Sequence, residues 1–321
     1  MRFGTVMMSN HLVRRVGQAV LVLWAAFTVS FILLQALPGD AILIKFQSPD
    51  LGLSAEQIAT IRASYGADSP IWQQYLHAIG NFLTGDLGYS VQAGVPVSEQ
   101  LAVTLPLTIR LASSGFLLAA VLAVAIAFAS NLTAAAWLRA ALQFLPSLFV
   151  SLPTFWLGIV LIQIVSFRLK LIPVINPGQW QGLILPIVTV AVPISAPIAQ
   201  VLIRSIDDVQ ALGFVGVARA KAASRRRVLF AHVARNAVLP ALTIAGVLLG
   251  QLLTSTVVTE AVFGLNGVGT LTQQAVNNED TSVLQAVVVF SAAGFVLINL
   301  VVDLLYPLLD PRLRLRREVL A

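Results

Sequence analysis

The sequence of 321 residues predicts an all-α integral membrane protein with six transmembrane helices and both termini in the cytoplasm. Three observations carry that expectation. Hydrophobic residues make up 58% of the chain and charged residues only 11%, against about 45–50% and 25% in soluble domains. Six charge-free intervals are long enough to cross a bilayer. Basic residues collect between alternate intervals, on one side.

A soluble domain of this length still exposes a good part of its chain, so this much apolar surface needs lipid as its solvent. The net charge of +6 would point to nucleic acid in a soluble protein. Here membrane topology accounts for it, and no nucleic-acid partner is expected. Cysteine is absent, which excludes disulfides, thiolate metal sites and a cysteine nucleophile. His11, His77 and His232 lie far apart and share no ligand spacing, so no metal site is expected.

The charge-free intervals cover 16–39, 111–138, 140–167, 171–203, 236–259 and 281–302. They hold 24, 28, 28, 33, 24 and 22 residues, against about 20 needed to cross roughly 30 Å of hydrocarbon. Fifteen of the twenty basic residues fall on the side of the termini, while nine of the fourteen acids fall on the other. That asymmetry sets the orientation.

Residues 1–37 form an N-terminal cytoplasmic tail and the first span. The stretch from Val16 to Leu37 follows Arg14 and Arg15 and exceeds the hydrophobic region of a signal peptide. Leu37, Pro38, Gly39 and Asp40 stand where a cleavage site would need small residues, so the helix is retained. The outer segment after it is acidic, with 38–97 as the extracytoplasmic region. Within it, SPIWQQYLHAIGNFLTG (69–85) has apolar residues at helical spacing and reads as a short helix along the interface.

Residues 98–307 form a membrane core with helices at about 108–130, 140–166, 183–203, 237–259 and 282–306, and 308–321 form a cytoplasmic tail. The loop 168–182 holds Pro173 and Pro177 and should be irregular. Pro146, Pro153, Pro186, Pro193 and Pro197 interrupt the third and fourth spans. Such breaks suit bent helices around a pathway, and they suit simple kinks equally well. The segment 261–278, rich in Gly, Asn and Gln, belongs at a membrane surface.

The largest cytoplasmic loop, 204–236, supports two short helices, with Ala218, Ala220, Ala222 and Ala223 at their junction. Small residues there let another surface approach the backbone, and the flanking Arg and Lys supply charge. Arg225, Arg226 and Arg227 serve equally well as a topology signal.

In the fifth span Gln251, Thr254, Ser255 and Thr259 share one helical face. Gln285, Ser291 and Asn299 add polar groups in the sixth span, and Ser195 and Gln200 in the fourth. Each is compatible with an interhelical hydrogen bond of about 0.6 kcal/mol; the fifth-span stripe as a group is the candidate pathway lining. No ionisable residue lies inside the six intervals, which argues against an ion-driven carrier and a membrane-embedded hydrolase. No G-x-x-x-x-G-K-[ST] loop is present. Uphill transport would need energy from another polypeptide.

Six strings stand in order along the chain: LPGD (37–40), GDLGYSVQAGVPVSEQLAVTLPLTIRLA (85–112), SLPTFWLGIVL (151–161), ARAKAASRRRVLFAHVARNAVLP (218–240), TEAVFGLNGVG (259–269) and DLLYPLLDPRLR (303–314). Together they resemble permease subunits of binding-protein-dependent ABC importers, of the dipeptide/oligopeptide/nickel family. The resemblance implies a type I importer fold in the bacterial inner membrane, with residues 98–307 as its transmembrane core. It also implies a second homologous permease subunit, two ATPase subunits and an extracytoplasmic solute-binding protein, all at a lipid bilayer. ATP and Mg would sit on the ATPases, leaving this chain without a cofactor, a metal or a catalytic residue. By the same resemblance Phe214, Val215, Ala218, Arg219, Ala220, Lys221, Ala222, Ser224 and Arg225 belong to an ATPase-coupling loop.

The family's solutes are di- or oligopeptides and peptide-like molecules, with nickel or a metal–metallophore complex as the alternative. From another class, a secondary carrier or channel is the remote alternative. One position departs from the family pattern: Ala222 stands where a glycine is expected. Either the junction stays right-handed helical there, or its docking geometry differs.

Overall fold

The computed structural model describes the backbone of residues 2–36, 56, 69–173, 178 and 180–309. Side chains are described for the same residues except 2–14, 36, 251, 253, 254 and 301–309. The LPGD string, most of the acidic outer segment, Pro177 and the C-terminal tail beyond Leu309 lie outside the described residues. Regular structure among the described residues is helical, apart from one antiparallel bridge between Tyr89 and Pro96.

In chain order the helices are α1 (Arg2–Ala36), α2 (Ile71–Thr84), α3 (Val97–Leu132), α4 (Ala136–Ser151) and α5 (Thr154–Leu161). They continue with α6 (Gln181–Gln210), α7 (Gly213–Ala220), α8 (Arg225–Val228), α9 (Ala234–Phe263), α10 (Val268–Asn277) and α11 (Thr281–Leu309). Two π-helical stretches, Ile162–Arg168 and Leu229–Val233, continue α5 and link α8 to α9. Five described helical segments are long and apolar enough to cross a membrane: Arg15–Gln35, Val97–Leu132, Gln181–Gln210, Arg225–Gly250 and Thr281–Leu300. The sixth passage is the bent pair Ala136–Ser151 and Thr154–Arg168, which meet at 103°.

The charge-free intervals did not mark the helix ends. The second span extends outward to Val97 and the fourth inward to Gln210, because a helix that leaves lipid goes on until it is capped. Proline behaved selectively. Pro186, Pro193 and Pro197 stay inside the continuous α6, and Pro146 inside α4. Only Pro153 breaks its span. It has no N–H to give, and Leu152 before it is extended at φ −85°, ψ 119°, the conformation a pre-proline residue favours.

The chain divides into two compact units: Met1–Thr108 with Asn266–Val296, and Ile109–Leu265 with Leu297–Ala321. In the first unit Val97, Leu101, Leu271, Val283 and Val287 form the core. Asp280 is only 2% exposed and ties this unit together. Ser90 Oγ donates to its Oδ2 at 2.5 Å, the Gln92 N–H donates to the same oxygen at 3.4 Å, and the Val283 N–H donates to Oδ1 at 3.4 Å. One carboxylate thus opens α11 and holds the turn that precedes α3.

Helix α2 does not simply lie across the end of α1; it runs back along it. Gln35 donates to Gln74 at 2.8 Å, the Thr28 and Tyr75 hydroxyls meet at 2.8 Å, and the Phe82 ring stacks edge-on to Phe27 at 5.4 Å. Rising numbers in α2 meet falling numbers in α1, which makes the pair antiparallel.

In the second unit the core gathers Ile126, Leu202, Ile206, Val215, Val228 and Val233. Gly158 in α5 is buried where a Cβ would come within 3.1 Å of Val262 and 3.2 Å of Phe263. A side chain there would push those two neighbours back by a few tenths of an ångström, so glycine gives the closest seat.

Candidate functional site

The cytoplasmic segment from Ala211 to Ser224 is shorter than the loop 204–236 expected from charge. Arg204 to Gln210 belong to α6, and Arg225 starts a helical run that passes through the π stretch into α9. One short helix, α7, remains in the middle; the second expected helix is the inner end of the fifth span. Ser224 caps that run, its Oγ accepting from the Arg227 N–H at 3.3 Å.

Helix α7 has two unlike faces. Val215 is fully buried, and Ala218 packs against the same core cluster. One step round the helix, Phe214 is 45% and Val217 56% exposed, with Ala220 and Lys221 exposed beyond them. Val215 and Ala218 therefore seat the helix on its own chain. The outward apolar face adds Val217, which sequence reasoning missed; the spacing 214, 217, 221 was its available signal.

The end of α7 settles the question posed by Ala222. Its φ is +60°, so the junction is not right-handed. The Ala222 N–H donates to Arg219 O at 2.9 Å and the Ala223 N–H to Ala218 O at 3.2 Å, the paired closure of a Schellman cap. Alanine takes the place that glycine would fill more cheaply, by about 1–2 kcal/mol.

Two further contacts join α7 and its exit to α3. Arg219 Nη2 donates to Gln210 Oε1 at 3.0 Å, and Gln210 Nε2 donates to Asn131 Oδ1 at 2.9 Å. Asn131 Nδ2 in turn donates to Ala127 O at 3.0 Å. Phe230, in the π stretch, lies 5.2 Å from Phe128 between ring centres. Nothing in the sequence pairs position 131 with 210, since each reads as an ordinary polar residue at a helix end.

In the fifth span, Ser255 is half-buried and its hydroxyl donates to Leu252 O at 3.1 Å. Thr259 is fully buried, its hydroxyl reaching Ser255 O at 3.5 Å. The side chains of Gln251 and Thr254 lie outside the described residues. Two of the other polar span residues serve packing: Ser195 Oγ bonds Val192 O at 2.7 Å within its own helix, and Gln285 Nε2 bonds Phe27 O at 2.9 Å. Glu260, counted as an outer charge from sequence, is fully buried near the end of α9.

Residues 119–315 match the family described as the binding-protein-dependent transport system inner membrane component, and residues 8–112 match the N-terminal family of the same membrane components. The chain belongs to this family. It is a multi-pass permease of an ABC importer in the inner membrane, and permeases of this kind work with an ATPase and a binding protein. The permease is 33% identical over 313 residues to the glutathione transport system permease protein GsiC of Escherichia coli K12, covering 96% of this chain and 99% of that one. GsiC of Salmonella typhi is 33% identical over 308 residues, with the same coverage. Among solved structures, the inward-facing MetNI methionine ABC transporter aligns at a TM-score of 0.51 and 16% identity, over 66% of the permease and 97% of that chain. That likeness concerns the fold, the type I permease arrangement.

Proposed function

We propose that this permease forms half of a translocation pathway for peptide-like solutes, beside a second homologous permease and above two ATPase subunits. The observation that carries the coupling part is the outward face of α7. Phe214 and Val217 are apolar, exposed and one turn apart on a segment that the charge pattern assigns to the cytoplasm, which suits them to a partner's groove. Arg219, Ala220, Lys221, Ala222, Ser224 and Arg225 surround them, while Val215 and Ala218 hold the helix from beneath. In this reading the ATPase groove receives Phe214 and Val217, and ATP and Mg stay on the ATPase. The permease itself carries no catalytic role.

Peptide-like solutes are favoured because relatives matched over nearly their whole length include glutathione permeases, and glutathione is a tripeptide. No observation favours nickel or a metallophore. For the pathway, Gln251, Thr254 and Ser255 are the proposed lining; Thr259, buried in this chain, supports that face from within. The test of the solute is direct. The cognate binding protein is purified without added ligand, and its bound solute is identified by mass spectrometry. Glutathione or a short peptide is the expected result; a metal complex would overturn the solute assignment while leaving the family assignment intact.

A further inference from the structure

The last turn of α3 touches the coupling segment on both flanks. Asn131 and Phe128 are three residues apart and so share one face of that helix. Asn131 reaches α7 through Gln210 and Arg219, and Phe128 reaches the exit side through Phe230. The two contacts are chemically independent, one a chain of hydrogen bonds and one a ring pair.

The hydrogen-bond chain has a fixed direction. A guanidinium can only donate, so Gln210 must turn its carbonyl to Arg219 and its amino group to Asn131. At the far end Ala127 O can only accept, so Asn131 must turn its amino group there and its carbonyl to Gln210. Both amides are set from both ends, and neither can flip without losing a bond. Gln210 and Asn131 are half-buried, which limits water at the bond between them, while the Arg219 end of the link is exposed. The π stretch on the other flank is the kind of helix irregularity that recurs at functional sites.

We propose that the inner end of α3 is the receiver of the coupling movement, with Gln210 and Asn131 as positioning residues that carry displacement of α7 into the second span. This rests on the reading of α7 as the ATPase contact. A displacement of α7 that exceeds the slack of the Arg219 side chain is passed through Gln210 to Asn131, and the Phe128–Phe230 pair joins the other flank to the same helix.

The test uses the full complex, reconstituted with both permeases, the ATPases and the loaded binding protein. The readout is solute imported per ATP hydrolysed. Gln210→Met keeps the length but neither donates nor accepts; it is expected to lower that ratio several-fold without changing complex yield or melting temperature. Asn131→Leu is expected to do the same, and the double variant no more than either alone. A wild-type ratio in Gln210→Met, or additive losses in the double variant, would overturn the relay. A separate arm, Ala220→Trp, places bulk on the outward face of α7. If it leaves ATPase assembly and coupling untouched, the docking reading itself fails; if it uncouples while Gln210→Met does not, only the relay fails.

Discussion

Ala222 shows how a single backbone angle is kept without the residue that suits it. Its φ of +60° and the two closing hydrogen bonds complete the cap at the end of α7. Glu279, at φ +54°, closes α10 in the same way, with the Asp280 N–H donating to Ala275 O at 2.9 Å. By contrast, α2 and α9 end on Gly85 and Gly264, where the angle carries no penalty. Ala222→Gly is therefore expected to stabilise the purified permease by about 1 kcal/mol, read as a higher thermal midpoint, with uptake undiminished. A lower midpoint would mean that the cap does not limit stability. The sequence pointed to the right position here but not to its angle, because an alanine reads as helical until the bonds around it are known.

At the scale of the element, the break at Pro153 and the close seat of Gly158 belong together. The bend of 103° starts α5 on a new line, and Gly158 then lets it press against Val262 and Phe263. Gly158→Leu adds bulk at a site with no room and is expected to cost about 1–3 kcal/mol, seen as lower yield of folded permease and a reduced thermal midpoint. An unchanged midpoint would show that α5 can move away freely. The six passages were legible from charge alone, since a charge in hydrocarbon is costly whatever the tertiary structure. Which of several prolines breaks a helix was not legible, because neighbours decide whether the freed carbonyl is satisfied.

For the whole molecule, the family and its membrane setting followed from strings and composition, whereas the contacts between distant segments did not. Asp280 is one such contact. From sequence it counted as an outer charge; in the structure it is a buried carboxylate with three donors. Hydrogen bonds to a charged group are worth about 1.5–3 kcal/mol each. Asp280→Ala should release the turn at 86–96, read as faster proteolysis there in right-side-out reconstituted vesicles, while insertion of the spans is unaffected. Equal protease resistance would assign the turn's order to other contacts.

The same carboxylate bears on biosynthesis. Ser90 leaves the ribosome 190 residues before Asp280, a delay of about 10–40 s at ordinary elongation rates. Through that interval the turn has been exported across the membrane without its anchor. The N-terminal third of the permease is consequently completed last, when the final span is delivered, so a nascent chain stalled before residue 280 should present an open turn to quality-control proteases.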